Sequence, residues 1–447
     1  MTTATKYKTY SQYKPSGADW LGDIPDNWEA KRLRYFFDYH AGGVWGDEEK
    51  GDQNDLICLR VADFDFDHFG LSDNDLTTRN IPENQHSRIL EKGDILLEKS
   101  GGGEKQTVGR AVRFDSNNRA VCSNFIEKLT PLKVHNSKYI SYLMGALYFG
   151  TINVRSIKQT TGIQNLDIYA YFSEVVPFPE KAIQKSIADF LDRETTKIDE
   201  MVAKKQKMME LLKEKRQALI THAVTKGLDP KAKMKPSGIE WLGDIPEGWE
   251  VKKAKFLSDF VSGYSFDSES YVDDGVPIIR IGDIAEIIDF EGVKKVPTEL
   301  SIGLEKFNVK SGDILLALTG ATIGKTAIYN STEVALLNQR VAILRGKKLD
   351  QKYLTYFIAS SIFKENIDYL CFGGAQENIG KSEIGSIIIS YPKIDEQKEI
   401  VAYLDRETAK IDEMMKKVEK QIEKLQEYRQ ALITNAVTGK IKIKNYE

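Results

Sequence analysis

Cysteine is scarce in this chain. The three cysteines, Cys58, Cys122 and Cys371, stand far apart and form no C-x-x-C pair. That spacing gives no support to a disulfide framework or a zinc site, and predicts reduced, buried thiols in a cytoplasmic protein. Histidine is nearly as rare. Five residues, at 40, 68, 86, 135 and 222, lack the spacing of a metal centre. None of the 12 prolines follows another proline. The N/D-P-P-Y/F loop with which a DNA adenine methyltransferase holds a flipped base is therefore missing. No apolar run reaches the roughly 18–20 residues that a membrane span needs. The opening MTTATKYKTYSQYK lacks the apolar core of a secretory signal. Positive charge is not in excess either: 63 Lys and Arg face 66 Asp and Glu, a net charge of −3. Any nucleic-acid contact must then come from local basic surfaces, because screening confines phosphate attraction to about 8–10 Å.

What the chain does have is a second copy of itself. Lys14 to Trp28 reads KPSGADWLGDIPDNW, and Lys235 to Trp249 reads KPSGIEWLGDIPEGW. Leu191 to Thr225 opens LDRET, passes KIDEM and closes RQALITHAVT, and Leu404 to Thr438 repeats this with RQALITNAVT. The copies are collinear, and the second is eight residues shorter between its two blocks. The 447 residues are enough for two or three domains with real cores. A duplicated chain of this kind can fold as two similar lobes about an approximate two-fold axis, which suits a two-fold symmetric partner such as duplex DNA.

Each copy has three parts. The entry segment ends in Trp28 or Trp249, read as packing anchors. A mixed α/β region of about 150 residues follows, bounded by the lengths typical of one domain. Strand-like runs are Leu56–Val61, Asp94–Leu97, Ile278–Ile281, Asp313–Leu316, Val341–Leu344 and Ile387–Ser390; helices are expected over Ser137–Tyr148 and Leu349–Phe363. The third part is a long charged helix with an apolar stripe every 3.5 residues, the mark of a coiled-coil seam. Seam positions in copy one are Leu191, Ile198, Met201, Leu212 and Leu219; in copy two they are Leu404, Ile411, Val418, Leu425 and Leu432. A stripe this narrow needs a partner, and the nearest is the other copy, packed antiparallel. The expected boundaries are 14–180, 181–227, a linker at 228–234, 235–392 and 393–440.

Motifs for chemistry are few. Gly320–Thr326 (GATIGKT) has three residues between its first glycine and Gly-Lys, one short of a phosphate loop. Pro25-Asp26 with Glu48-Glu49-Lys50 loosely fits a nuclease pattern, but Asp26 is Glu247 in the other copy and reads as framework. No nucleophile stands with a base, so the chain is expected to be non-catalytic. Glycine-rich polar loops remain. Lys99–Arg110 follows one DILL run and Thr319–Lys325 the other, and Lys158–Asn165 aligns with Gly373–Asn378. Their polar side chains are of the kinds that read base edges or grip phosphates. Candidate DNA contacts are Lys99, Ser100, Lys105, Gln106, Thr107, Arg110, Lys158, Gln159 and Gln164 in the first copy. Thr319, Thr322, Lys325, Gln376 and Asn378 are those in the second.

The paired W-L-G-D-I-P-x-x-W-E, G-D-I-L-L and L-D-R-E-T…K-I-D-E-M…R-Q-A-L-I-T-x-A-V-T blocks resemble the specificity subunit of type I restriction-modification systems. Lys14 to Lys440 is covered. The resemblance implies two α/β target-recognition domains separated by two long helices in an antiparallel coiled coil. Each domain would read one half of a bipartite, asymmetric site in double-stranded DNA. It also implies two methyltransferase subunits as partners, which use S-adenosylmethionine, and restriction subunits that use ATP and Mg. No cofactor is then expected in this chain. Thr195 to His222, at ~1.5 Å per residue, would span roughly 42 Å, a little over one duplex turn of about 34–36 Å. The coiled coil would be a ruler for the spacer. The competing reading is a coiled-coil scaffold whose lobes bind protein or RNA.

Overall fold

The computed structural model describes residues 7–72, 75–103, 106–160, 162–285, 288–372 and 378–443. It divides into two units, residues 1–205 with 420–447, and residues 206–419.

The first unit is built around two sheets. One holds β1 (Phe37–Gly42), β3 (Ile95–Glu98), β4 (Ala111–Arg113) and β6 (Ile126–Pro131) in the order β4-β3-β6-β1, all antiparallel. The other pairs β2 (Asp55–Leu59) in parallel with β5 (Ala120–Cys122) and antiparallel with Thr78–Asn80. β3 explains the DILL run. Ile95 and Leu97 face the core that holds α1 (Ser137–Phe149), while Leu96 faces the second sheet beside Val112 and Ile126. A strand buried on both faces reads as a continuous apolar run rather than an alternating one. The preceding Gly-Asp makes the turn. Gly93 sits at φ +100°, and the Asp94 carboxylate accepts from Glu91 N–H at 2.7 Å. α1 starts at Asn136, whose side chain accepts from Tyr139 N–H at 3.0 Å, an ordinary N-cap.

The second unit repeats this design. β7 (Ser258–Ser262), β9 (Ile314–Ala317), β10 (Thr326–Ile328) and β12 (Val341–Gly346) stand in the order β10-β9-β12-β7. β8 (Val276–Ile279) runs parallel to β11 (Ala335–Leu337). Register is kept as well: Ile126 lies opposite Glu98 in one unit and Val341 opposite Ala317 in the other. Asp313 accepts from Lys310 N–H at 2.7 Å, as Asp94 does from Glu91. The expected helix over Leu349–Phe363 is two helices, α3 (Gln351–Ile358) and α4 (Ser361–Phe372). Ser360 causes the break. Its hydroxyl donates back to Phe357 C=O at 2.5 Å and accepts from Phe363 N–H at 3.4 Å, capping a new helix.

Both entry segments are two-stranded hairpins in one register, Lys14 opposite Ile24 and Lys235 opposite Ile245. Trp28 and Trp249 are fully buried, as packing anchors should be. The long helices are α2 (Lys181–Lys226) and α5 (Ile394–Val437). Each unit contains the first part of one and the last part of the other. Asp199 meets Arg429 at 2.9 Å and Asp412 meets Arg216 at 2.9 Å, so numbers rise along one helix as they fall along its antiparallel partner. The far end of each helix completes a unit. Tyr139 donates to Val437 C=O at 3.2 Å, and Lys440 Nζ donates to Leu21 C=O at 2.9 Å. In the second unit Tyr353 donates to Val224 C=O at 3.1 Å and Lys226 Nζ to Leu242 C=O at 3.0 Å.

The seam needs one correction. Leu191, Ile198, Leu212, Leu404, Ile411, Val418 and Leu432 are buried, and Leu219 and Leu425 are half-buried. Met201 is 44% exposed. The second stripe lies four residues after the first, not three. Thr195 and Val202 carry it in α2, and Thr408 and Met415 in α5, where all four are buried or half-buried.

Candidate nucleic-acid interface

In the first unit the glycine loop after β3 borders a cleft of about 720 Å³. Ser100, Gln106 and Arg110 line it together with Trp45, Arg60, Asn124 and Phe125. The loop is held tightly. Gly102 has φ +63°, and a Cβ there would lie 3.0 Å from the Gln106 carbonyl, the Gln164 amide and Val108. Its described cations are already engaged. Arg110 grips Glu98 at 2.8 and 3.2 Å, and that carboxylate is buried. Lys99 reaches Glu127 at 2.8 Å, which His40 also contacts at 2.8 Å. Ser100 donates to the Asn165 side chain at 2.7 Å, where Ser100–Gly101, Ile163–Leu166 and Ile157–Thr160 form a small sheet. The Gln106 amide, with its oxygen turned inward, accepts from Arg110. Thr107 accepts from Asn153 at 3.3 Å.

Gln164 is the clearest surprise. It is only 7% exposed, and its amide accepts from Val108 N–H at 3.3 Å and donates to Gly103 C=O at 3.4 Å. It braces the loop from inside, while its neighbour Ile163 is exposed. Gln159 and Lys158 are exposed on the adjoining strand. Lys158 pairs with Asp167 at 2.6 Å and, more than any other group, holds that carboxyl below its ordinary range. Lys105 lies outside the described residues.

The second unit has a shorter loop with a single helical turn at Gly320–Thr322, and other chemistry. Thr319 bridges to Asn378 as Ser100 pairs with Asn165. Thr322 donates to Thr319 C=O at 3.2 Å and closes a short turn. Lys325 is exposed and, among the described residues, has no carboxylate within 4 Å. Gln376 lies outside the described residues. The GATIGKT segment leads into strand β10, not into the helix N-terminus on which a phosphate loop depends.

Sequence reasoning passed over one duplicated pair. Arg60 is fixed by Asp63 at 2.9 and 3.2 Å, and Arg280 by Asp283 at 3.2 Å through both nitrogens. Each aspartate also accepts from its own arginine's backbone N–H. The signal was present: LRVAD and IRIGD put Arg-x-x-Asp at matching places after β2 and β8. Among the described residues no group of His, Cys, Asp or Glu is placed to hold a metal ion, and no helix is long and apolar enough to cross a membrane. Burial pushes the Cys58 thiol up to about 11 and the Cys122 thiol up to about 12, so both stay protonated.

A family model described as the type I restriction modification DNA specificity domain matches residues 25–210 and again 246–424. The chain belongs to this family. It is 27% identical over 432 residues to the type I restriction enzyme MjaVIII specificity subunit of Methanocaldococcus jannaschii, covering 94% of this chain and 95% of that one. It is 24% identical over 376 residues to the EcoKI specificity subunit of Escherichia coli K12, covering 81% and 78%. In fold it is similar to a chain solved in work on assembly and conformational transition of the type I R-M system, with TM-score 0.69, 15% identity and coverage of 93% and 98%. The HsdS subunit from Thermoanaerobacter tengcongensis gives TM-score 0.50 and 16% identity, over 94% and 98%. The family's specificity domain thus occurs twice here, each time on the same two-sheet unit.

Proposed function

We propose that this chain is the DNA-reading subunit of a type I restriction-modification assembly, in which each unit reads one half of a bipartite, asymmetric site. One observation carries the reading: strand order and register of the four-stranded antiparallel sheet are the same in both units, while the exposed loop chemistry differs. A shared scaffold with divergent tips is what two separate half-sites require. The chain itself is non-catalytic. Methylation belongs to two S-adenosylmethionine-dependent methyltransferase subunits, and cleavage to restriction subunits that use ATP and Mg, all in the cytoplasm with the cell's DNA. The scaffold reading for protein or RNA finds no support among the relatives, which are specificity subunits.

The deciding experiment compares methylated adenines in DNA from cells with and without this gene. One bipartite motif should vanish with the gene; an unchanged methylation pattern would sink the reading. The helices would set the spacer. One heptad added to each, after Lys205 and after Val418, adds ~10 Å of helix, about three base pairs at 3.4 Å. An active variant that keeps the original spacer would leave the helices as docking surface only.

A further inference from the structure

We infer that the turn between β5 and β6, and its counterpart between β11 and β12, are the specificity-determining tips: Asn124 and Phe125 for one half-site, Gln339 and Arg340 for the other. The inference rests on the proposed reading of half-sites and adds the residues that would do it. In both units the turn backbone is fixed by the same bonds. Ile126 N–H donates to Ser123 C=O and Val341 N–H to Asn338 C=O, both at 2.9 Å. Ser123 N–H donates to Leu59 C=O at 2.8 Å and Asn338 N–H to Ile279 C=O at 3.0 Å. Lys99 N–H donates to Phe125 C=O at 2.9 Å and Leu318 N–H to Arg340 C=O at 3.0 Å. A glycine presses on each turn from the neighbouring segment. A Cβ at Gly43 would lie 2.1 Å from Ser123 O, and one at Gly263 would lie 2.1 Å from Asn338 O.

On this rigid, duplicated pedestal only two consecutive side chains point out in each unit. Asn124 and Phe125 are exposed, as are Gln339 and Arg340, between buried neighbours on the strand side. Phe125 is 51% exposed, an apolar ring held in water on the wall of the cleft that Trp45 and Arg60 also line. Arg340 has no carboxylate within 4 Å among the described residues. Backbone fixed by the same hydrogen bonds in both units, with outward side chains that differ, is the pre-organisation a reading contact needs. The chemistry follows from side-chain type. Arginine forks onto guanine, Asn and Gln onto adenine, and an aromatic ring contacts the thymine methyl or wedges between bases.

The test uses the full chain assembled with its methyltransferase subunits and a pool of duplexes with randomised half-sites. The wild-type assembly comes first; if it enriches no bipartite sequence, the proposed function itself fails, and this inference with it. Given enrichment, Arg340→Ala should relax one base pair of one half-site by about 5- to 150-fold and leave the other half-site intact. Phe125→Ala should act only on that other half. Asn124→Gln with Phe125→Arg should bring the second unit's preference into the first at that position. If Arg340→Ala lowers the melting temperature, Arg340→Gln replaces it, with preference moving from guanine toward adenine. Unchanged preference in the alanine variants would overturn the inference. So would equal weakening on all sequences with a salt slope lower by about one, which marks a phosphate grip.

Discussion

The two units place a cation at the same point, after the Val/Ile-Gly that closes the glycine loop, and use it in opposite ways. In the first unit Arg110 is bound to the buried carboxylate of Glu98. In the second the residue opposite the matching strand end is Ala317, and Lys325 stands exposed without an acid partner among the described residues. At the next residue the units differ in kind: Lys99 pairs with Glu127 in one, and Leu318 stands in the lysine's place in the other. In the first unit the described loop cations, Lys99 and Arg110, hold the loop. In the second, Lys325 is exposed to whatever lies outside. In a chain with net charge −3, phosphate attraction depends on local exposed cations, of which Lys325 is one.

The strongest way to break this comparison is to exchange a whole unit. Replacing residues 30–180 with those of a related subunit should change one half of the methylated motif and keep the other. A change in both halves, or in neither, would mean that the units do not read independently.

Next in size is stability. Arg110→Ala strands a buried carboxylate, and breaking a buried pair typically costs about 3–5 kcal/mol. Lys325→Ala removes an exposed side chain and should stay within roughly 0.5 kcal/mol of the parent. Denaturant titration of both variants checks the contrast, and equal losses would refute the division between brace and free cation. DNA binding should rank them the other way. Lys325→Ala should weaken all duplexes alike and reduce the slope of log K against log salt by about 0.9 if it meets one phosphate. A slope unchanged in this variant would show that the exposed lysine meets no DNA.

Much of this was legible in the sequence because duplication exposes it. The DILL strands, the tryptophan anchors and the long helices sit where the repeated blocks put them. The seam phase was not, and the reason is local. After Ile198 both Met201 and Val202 are apolar, and after Lys205 both Met208 and Met209, so stripes three or four residues on fit equally well. The buried threonines decide. Thr195 and Thr408 return their hydroxyls to Leu191 and Leu404 C=O at 2.8 and 2.7 Å, which lets a polar residue sit on the seam. The loops were legible as loops but not as contacts. Gln164 and Ile163 look like reader and core, and strand register reverses them. Likewise Asn124 and Phe125 carry no motif in the sequence, and only the turn between β5 and β6 turns them outward.

The smallest effect expected is in acid, and it separates the units once more. The Asp167 carboxyl lies below its ordinary range, first through Lys158 and then through the Ala170 and Tyr169 N–H groups. A carboxyl depressed in the folded state adds stability above its unfolded pKa of ~3.9, and that stability is lost as pH falls through the folded value. Lys158→Ala removes the largest cause and brings the folded value back up. Stability at neutral pH should fall slightly and the acid transition move slightly to higher pH, both small because Lys158 is exposed. Among the described residues Lys325 holds no such carboxyl, so the acid limb of Lys325→Ala should overlay that of the parent. Circular dichroism titrations from neutrality down to acid compare the three proteins. If Lys325→Ala moved the acid midpoint as far as Lys158→Ala, Lys325 would have an acid partner in solution, and the contrast between the two loops would be lost.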